Sequence, residues 1–374
     1  MRVLVCPQEF KGSLTAAEAA RALAAGVRAA MPDAEILLLP LADGGPGTVA
    51  IISSAADGTL VTMTARGPLG ALVRAAYALL PPHPKRGQTA VIEAAATAGL
   101  VLIPAERREP WRASTFGVGE QIRAALAAGV REVTVGVGGT GTNDGGAGAA
   151  QALGYRLLNA RGEPIGPGPR ELMRLDRIDT NNVEPLPACA RVRVAVDVQN
   201  RLLGPEGATR VFGPQKGVTP ELADECERAL ERWAQMVARD IGVDIANIEG
   251  GGAGGGLAAG LAAVCAASIE SGAALVGEAV GLARAVASAD VIVTGEGRLD
   301  TQTAYGKTVA YVAEIARQAG RPCLTVAGSI EAQLASMQDS EAAMLAGEPI
   351  EVAIAHASER VQAAAERLMR RYRA

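Results

Sequence analysis

Asp290-Val291-Ile292-Val293-Thr294-Gly295-Glu296-Gly297-Arg298-Leu299-Asp300 is a short apolar run that breaks into glycines and charge. It reads as a strand over 290–294 that opens into a loop. Onward from it the pattern gives a helix over 308–319, a strand over 322–327, a helix, a strand over 350–355 and a helix over 359–372. The first sixty residues repeat the scheme: strand 2–6, helix 15–31, strand 35–41, the turn Asp43-Gly44-Gly45 and helix 48–56. Short apolar strands alternating with helices form parallel sheets covered on both faces. Together the two ends supply five strands, enough for a flavodoxin-like order 2-1-3-4-5. The expectation is an α/β protein. A Rossmann-like, doubly wound domain of residues 1–60 and 280–374 would hold residues 61–279 as an inserted α/β domain. The insert opens with strand patterns at 60–66, 71–79 and 89–93, and later carries the amphipathic helix 220–240.

The 374 residues carry 36 Lys plus Arg and 40 Asp plus Glu, a net charge of −4, which argues against nucleic acid as a partner. Five cysteines stand far apart with no C-x-x-C, so neither a disulfide scaffold nor a thiolate zinc cluster is expected, and a reducing cytoplasm suits the chain. Two histidines cannot build a multi-histidine metal site. His356 would be the only plausible base for a nucleophile, and it reads as a structural or orienting residue. Met1–Pro7 reads as a strand rather than a signal peptide. The uncharged run 250–269 is mostly Gly and Ala; it reads as a glycine loop before a packed internal helix, so no membrane segment is expected.

Only four basic residues are lysines: Lys11, Lys85, Lys216 and Lys307. Lys85 lies in a proline loop and receives no role. The other three each sit beside glycine where a helix is about to begin. Thr15 and Glu18 form a capping box after Lys11, and Thr219-Pro220 reads as an N-cap and first turn after Lys216. Free N–H groups and the helix dipole favour anions at such points, so three ammonium groups there point to a ligand with several negative charges.

Gly136-Val137-Gly138-Gly139-Thr140-Gly141 matches G-x-G-x-x-G after a strand, but no acid follows about twenty residues on, as a dinucleotide fold requires. Tyr305-Gly306-Lys307-Thr308 ends like a Walker A loop without its first glycine. Acids gather where strands end: Asp43, Asp144, Asp197, Glu296 and Asp300. That placement beside glycines and lysines suggests magnesium binding and proton abstraction.

Five segments, 7–14, 42–48, 138–146, 211–217 and 294–300, together resemble the bacterial type-1 glycerate kinases, in order and nearly end to end. The sequence departs from the family pattern at Gln8-Glu9, where Asp-Ser is expected, at Pro46 for Glu, and at Gln199-Asn200-Arg201 for Asp-Asn-Pro. The resemblance implies ATP-dependent phosphorylation of D-glycerate, with 2-phosphoglycerate favoured over 3-phosphoglycerate, in a cleft between two α/β domains. On that basis ATP would lie over the central glycine loop, with phosphates at Gly138, Gly139 and the helix start after Thr142, beside Asn143 and Lys216. Mg2+ would use Asp144 or Asp43. Glycerate would meet Lys11, Ser13 and Arg298, with Asp43, Gly44 and Lys307 in the same pocket. Asp197 would accept the hydroxyl proton, with Glu296 second. A homodimer is left open. Two other classes remain: an NAD(P)-dependent oxidoreductase of a small hydroxy acid, and a non-catalytic sensor of sugar acids.

Overall fold

The computed structural model describes residues 1–84, 87–181, 183, 190–299, 308–331 and 337–373. Contacts divide the chain into two compact units, Met1–Asp43 with Ser271–Ala374, and Gly44–Glu270.

The first unit is built on a five-stranded sheet. Its spatial order is Asp339–Ala342, Cys323–Ile330, Val291–Leu299, Arg2–Val5, Glu35–Leu38, and every pairing is parallel. Numbered along the chain this is the order 2-1-3-4-5. Val3, Leu4, Val5 and Val291–Val293 are wholly buried, because a parallel sheet is covered on both faces. The helix Ala16–Ala30 starts at the expected capping box: Thr15 Oγ1 accepts from the Glu18 N–H, and Glu18 accepts from the Thr15 N–H. That helix packs on Ala357–Arg373 through Leu23, Val27, Val361, Ala365 and Leu368. Gly26 makes the approach possible, since a Cβ there would stand 2.2 Å from the Gln362 carbonyl oxygen.

Two expectations are corrected here. Ile350–Ala355 is a helix, not a strand. Its alternating Ile350, Val352 and Ile354 look like strand residues, but all three stay exposed. Pro349 precedes them as the N-cap, and proline both lacks an N–H and holds a φ suited to a helix start. The fifth strand is instead the polar Asp339–Ala342, an edge strand whose Asp339 and Glu341 pair with Arg367 and Arg371. The second correction concerns Glu296. The strand expected to stop at Thr294 runs on to Leu299, and Glu296 and Arg298 pair in register with Ala327 and Ser329. Gly295 and Gly328 allow this. A Cβ on either would lie 2.3 Å from a neighbouring carbonyl oxygen, of Val326 and Gly297 respectively.

The second unit carries a six-stranded sheet in the order Ser268–Ser271, Arg191–Val196, Glu132–Gly136, Thr89–Glu93, Leu72–Leu79, Thr59–Arg66. Its centre is parallel, and Thr59–Arg66 with Leu72–Leu79 forms an antiparallel hairpin. The helix Pro220–Asp240 starts after Thr219 with proline in its first turn, and it buries Leu230, Trp233 and Val237. Trp233 Nε1 donates to the Gly145 carbonyl at 2.9 Å. Leu257–Cys265 follows the glycine run as a short internal helix, and Gly260 lets it approach the Gly145 carbonyl, which a Cβ would reach at 2.3 Å. No helix among the described residues is long and apolar enough to cross a membrane.

Candidate functional site

Two clusters of the expected residues form, one in each unit.

In the first unit the cluster stands at the carboxyl ends of Arg2–Val5 and Val291–Leu299. The Gln8 N–H donates to the Gly295 carbonyl at 2.9 Å, which continues the sheet ladder past the strand. A tight turn follows: Gly12 has φ +79°, Phe10 bridges to Leu14, and Ser13 Oγ donates to the Phe10 carbonyl at 2.9 Å. Only glycine adopts that backbone freely, so the turn leaves Lys11 at an exposed tip. Gly297 lies against Phe10 and the Lys11 nitrogen. The Gln8 side-chain amide donates to Asp43 Oδ2. Glu9 is half-buried; burial and then the negative charge of Asp43 push its carboxyl above the usual range, and Lys11 pulls it back. Glu296 is 7 % exposed, inside its strand. Gln8, Glu9, Lys11 and Asp43 are therefore one electrostatic group.

Arg298 is exposed on this unit and its guanidinium pairs with Glu331 at 2.6 Å. His356 is also exposed, beside Glu359. Lys307 and Asp300 lie outside the described residues.

In the second unit the chain from Gly44 runs across the ends of the central strands. Gly44 has φ +93°, and a Cβ on it would stand 2.7 Å from the Ala195 carbonyl oxygen. A Cβ on Gly136 would meet the Gly44 oxygen at 2.4 Å, and the Gly138 N–H donates to that same oxygen at 3.1 Å. Backbone meets backbone here, which explains why the sequence spends glycine at 44, 136 and 138. Gly138 and Gly139 remain accessible, and Asp197 stands exposed just beyond the strand that supplies Ala195.

Glu93 was not singled out from the sequence. Its Oε1 accepts from the Val49 N–H at 2.7 Å, in the first turn of the helix Thr48–Ala55. Burial pushes this carboxyl up, and the amides of Val49 and Gly47 pull it down. The signal was present: an acid closing a strand before a run of small residues.

Asp144, Asn143, Thr142 and Lys216 form a buried cluster behind this surface. Asp144 is fully buried. Oδ2 accepts from the Thr115 and Gly148 N–H groups at 2.8 and 3.2 Å, Oδ1 accepts from Gly146 at 3.2 Å, and the Thr115 hydroxyl reaches both oxygens. Burial raises its pKa against those hydrogen bonds. This carboxylate has no open face for a cation; it ties the glycine loop to the start of the helix Phe116–Ala127. Lys216 is equally enclosed, with Nζ donating to the Thr142 carbonyl at 2.8 Å. Burial lowers its pKa to about 8, opposed by Asp144. Asn143 Nδ2 donates to Thr209 Oγ1 at 3.0 Å. Thr142 Oγ1 and Asn143 Oδ1 are buried with no hydrogen-bond partner among the described residues, so the loop retains unused polar atoms. No group of three or more acids, histidines or cysteines with metal-site geometry occurs among the described residues.

A family model described as "Glycerate kinase family" matches this chain across residues 3–373. The chain belongs to the glycerate kinase family. Among its relatives, the glycerate kinase of Halalkalibacterium halodurans is 44% identical over 328 residues, covering 88% of this chain and 85% of that one. The glycerate 2-kinase of Escherichia coli K12 is 39% identical over 330 residues, covering 88% and 86%. A crystal structure assigned as glycerate kinase 2 from Salmonella typhimurium LT2 superposes with a TM-score of 0.84 at 41% identity, covering all of this chain and 98% of that one.

Proposed function

We propose that this protein transfers the γ-phosphoryl group of ATP to the 2-hydroxyl of D-glycerate, giving 2-phosphoglycerate and ADP. The observation that carries this reading is the Gly44 loop, pressed backbone to backbone on Gly136 and Ala195. It spends the Gly138 N–H on the Gly44 carbonyl and leaves Gly139 exposed in the same unit as the exposed strand-end Asp197; phosphoryl transfer uses such glycine turns and acids for positioning and charge neutralisation. The name carried by the Escherichia coli relative supports position 2 as the acceptor.

In this reading the phosphates lie at Gly138 and Gly139, and Lys11 and Ser13 meet the glycerate carboxylate. Asp197 takes the proton of the attacking hydroxyl, while the bond from the γ-phosphorus to the bridging oxygen breaks and ADP leaves. Glu296 is second choice as base. Asp43 is accessible and offers the hard oxygen that suits magnesium, whereas the enclosed Asp144 does not. Bound there, the ion would offset charge on the nucleotide phosphates. Lys216 and Asn143 act from behind by holding the loop.

The test is an assay coupling ADP release to D-glycerate, tartronate and related hydroxy acids, with phosphorus NMR of the product. ADP release only with D-glycerate and a 2-phosphoglycerate signal are expected. Release without a phosphorylated acid refutes the reading. Asp197→Asn should lower turnover by ~10²–10⁴-fold, the usual cost of losing a general base, with little change in the KM for ATP. Unchanged turnover removes Asp197 from that role.

A further inference from the structure

The second unit holds a cavity of about 660 Å³ that takes no part in the chemistry described so far. Its wall comes from three places: the hairpin turn after Thr59–Arg66, the segment around Trp111–Phe116, and the segment around 165–171. Its size lies within the usual range for small-molecule sites, roughly 300–1,000 Å³.

Its chemistry is specific. Two aromatic side chains, Trp111 and Phe116, stand among Arg66, Arg112 and Arg170. The Arg66 guanidinium already lies over the Phe116 ring, 4.2 Å from its centroid. A stacked guanidinium presents a second flat face, and flat cations and aromatic rings both accept planar heteroaromatic groups. Two of these arginines have acids of their own, Arg66 beside Glu120 at 3.9 Å and Arg112 beside Glu109 at 3.2 Å, and the lining acid Glu171 pairs with Arg174. The cavity therefore suits a ligand with a planar ring system.

The wall of the cavity also backs onto the buried side of the central glycine loop. Ser114 forms part of its wall, and the next residue, Thr115, holds Asp144 of that loop through its N–H and its hydroxyl. Of the two substrates proposed above, glycerate has no planar ring and ATP has one. We propose that this cavity is the nucleoside pocket, seating the adenine and ribose of ATP within the second unit. The proposal rests on the ATP-dependent reading and goes beyond it by naming the residues that recognise the base.

The experiment is photolabelling of the whole protein with 8-azido-ATP, protected by excess ATP, followed by peptide mapping. Label in residues 66–70, 111–116 or 165–171 is expected. Label that ATP protects but that maps elsewhere overturns the pocket and leaves the kinase reading standing. If ADP release assays are also silent and no protected label forms, the ATP reading itself falls, and the pocket with it. Two substitutions supply a second measurement. Leu69→Trp fills the cavity from the partly exposed tip of the hairpin turn, and Arg170→Glu reverses a charge in its wall. Each should raise the KM for ATP at least tenfold and leave the KM for glycerate unchanged. If both leave the ATP KM within twofold, the cavity does not hold the nucleotide.

Discussion

The ammonium of Lys216 donates to the main-chain carbonyl of Thr142 at 2.8 Å, with 3 % of the lysine exposed. The interaction fastens the glycine loop from behind, and it places a charge where charge is costly. Burial lowers the pKa from 10.5 to about 8. The unfolded chain therefore holds this proton to a higher pH than the folded one. The resulting gain in stability is complete above pH 10.5 and is lost as pH falls through about 8, and it amounts to roughly 3 kcal/mol. Urea unfolding of wild type and Lys216→Met at pH 7 and pH 10 should show the difference moving in favour of wild type by that order as pH rises. A difference independent of pH would mean that the lysine is solvated.

Asp144 offers a different outcome from the one its sequence setting suggested. Asp144→Ala strands the N–H groups of Thr115, Gly146 and Gly148 in a dry interior, and each buried unpaired donor costs about 1–3 kcal/mol. Calorimetry should show a loss of at least 3 kcal/mol. The milder Asp144→Asn should keep the magnesium dependence of activity unchanged. A raised magnesium requirement in a normally stable Asp144→Asn protein would return this residue to the metal.

Gly44 combines a left-handed backbone with contact against Ala195. Gly44→Ala adds about 1–2 kcal/mol of backbone strain and a clash 2.7 Å from a carbonyl oxygen. The loop must shift, so kcat should fall more than tenfold while the melting temperature falls by only a few degrees. Full activity would show that the loop's position is not critical.

Arg298 and Glu331 form an exposed pair, of the kind worth about 0–1 kcal/mol. Arg298→Met should barely move the melting temperature. If Arg298 leaves Glu331 to meet the glycerate carboxylate, the KM for glycerate should rise about tenfold with the ATP KM unchanged. An unaltered glycerate KM assigns the arginine to surface pairing alone.

The flavodoxin-like order was legible because its causes are local. Val3–Val5 and Val291–Val293 are continuous apolar runs, and Thr15 with Glu18 marks a helix start within four residues. The failures were places where a distant partner decides. Ile350–Ala355 alternates like a strand, yet Asp339–Ala342 takes the sheet edge because Arg367 and Arg371 neutralise its acids. Glu296 looked like a loop residue, since no local rule reveals that Gly295 and Gly328 permit a ladder to continue.

By itself the sequence determined the alternation of strands and helices, the glycine loops and the set of charged residues near them, because propensity, periodicity and turn chemistry act over a few neighbouring residues. Which of those charges face solvent was decided only by the tertiary structure. Asp43, Asp144 and Asp197 all sit beside glycines in the chain, but burial depends on what packs above a residue. Thr115 and the Gly146 and Gly148 amides enclose Asp144, while Asp43 stays partly exposed and Asp197 exposed.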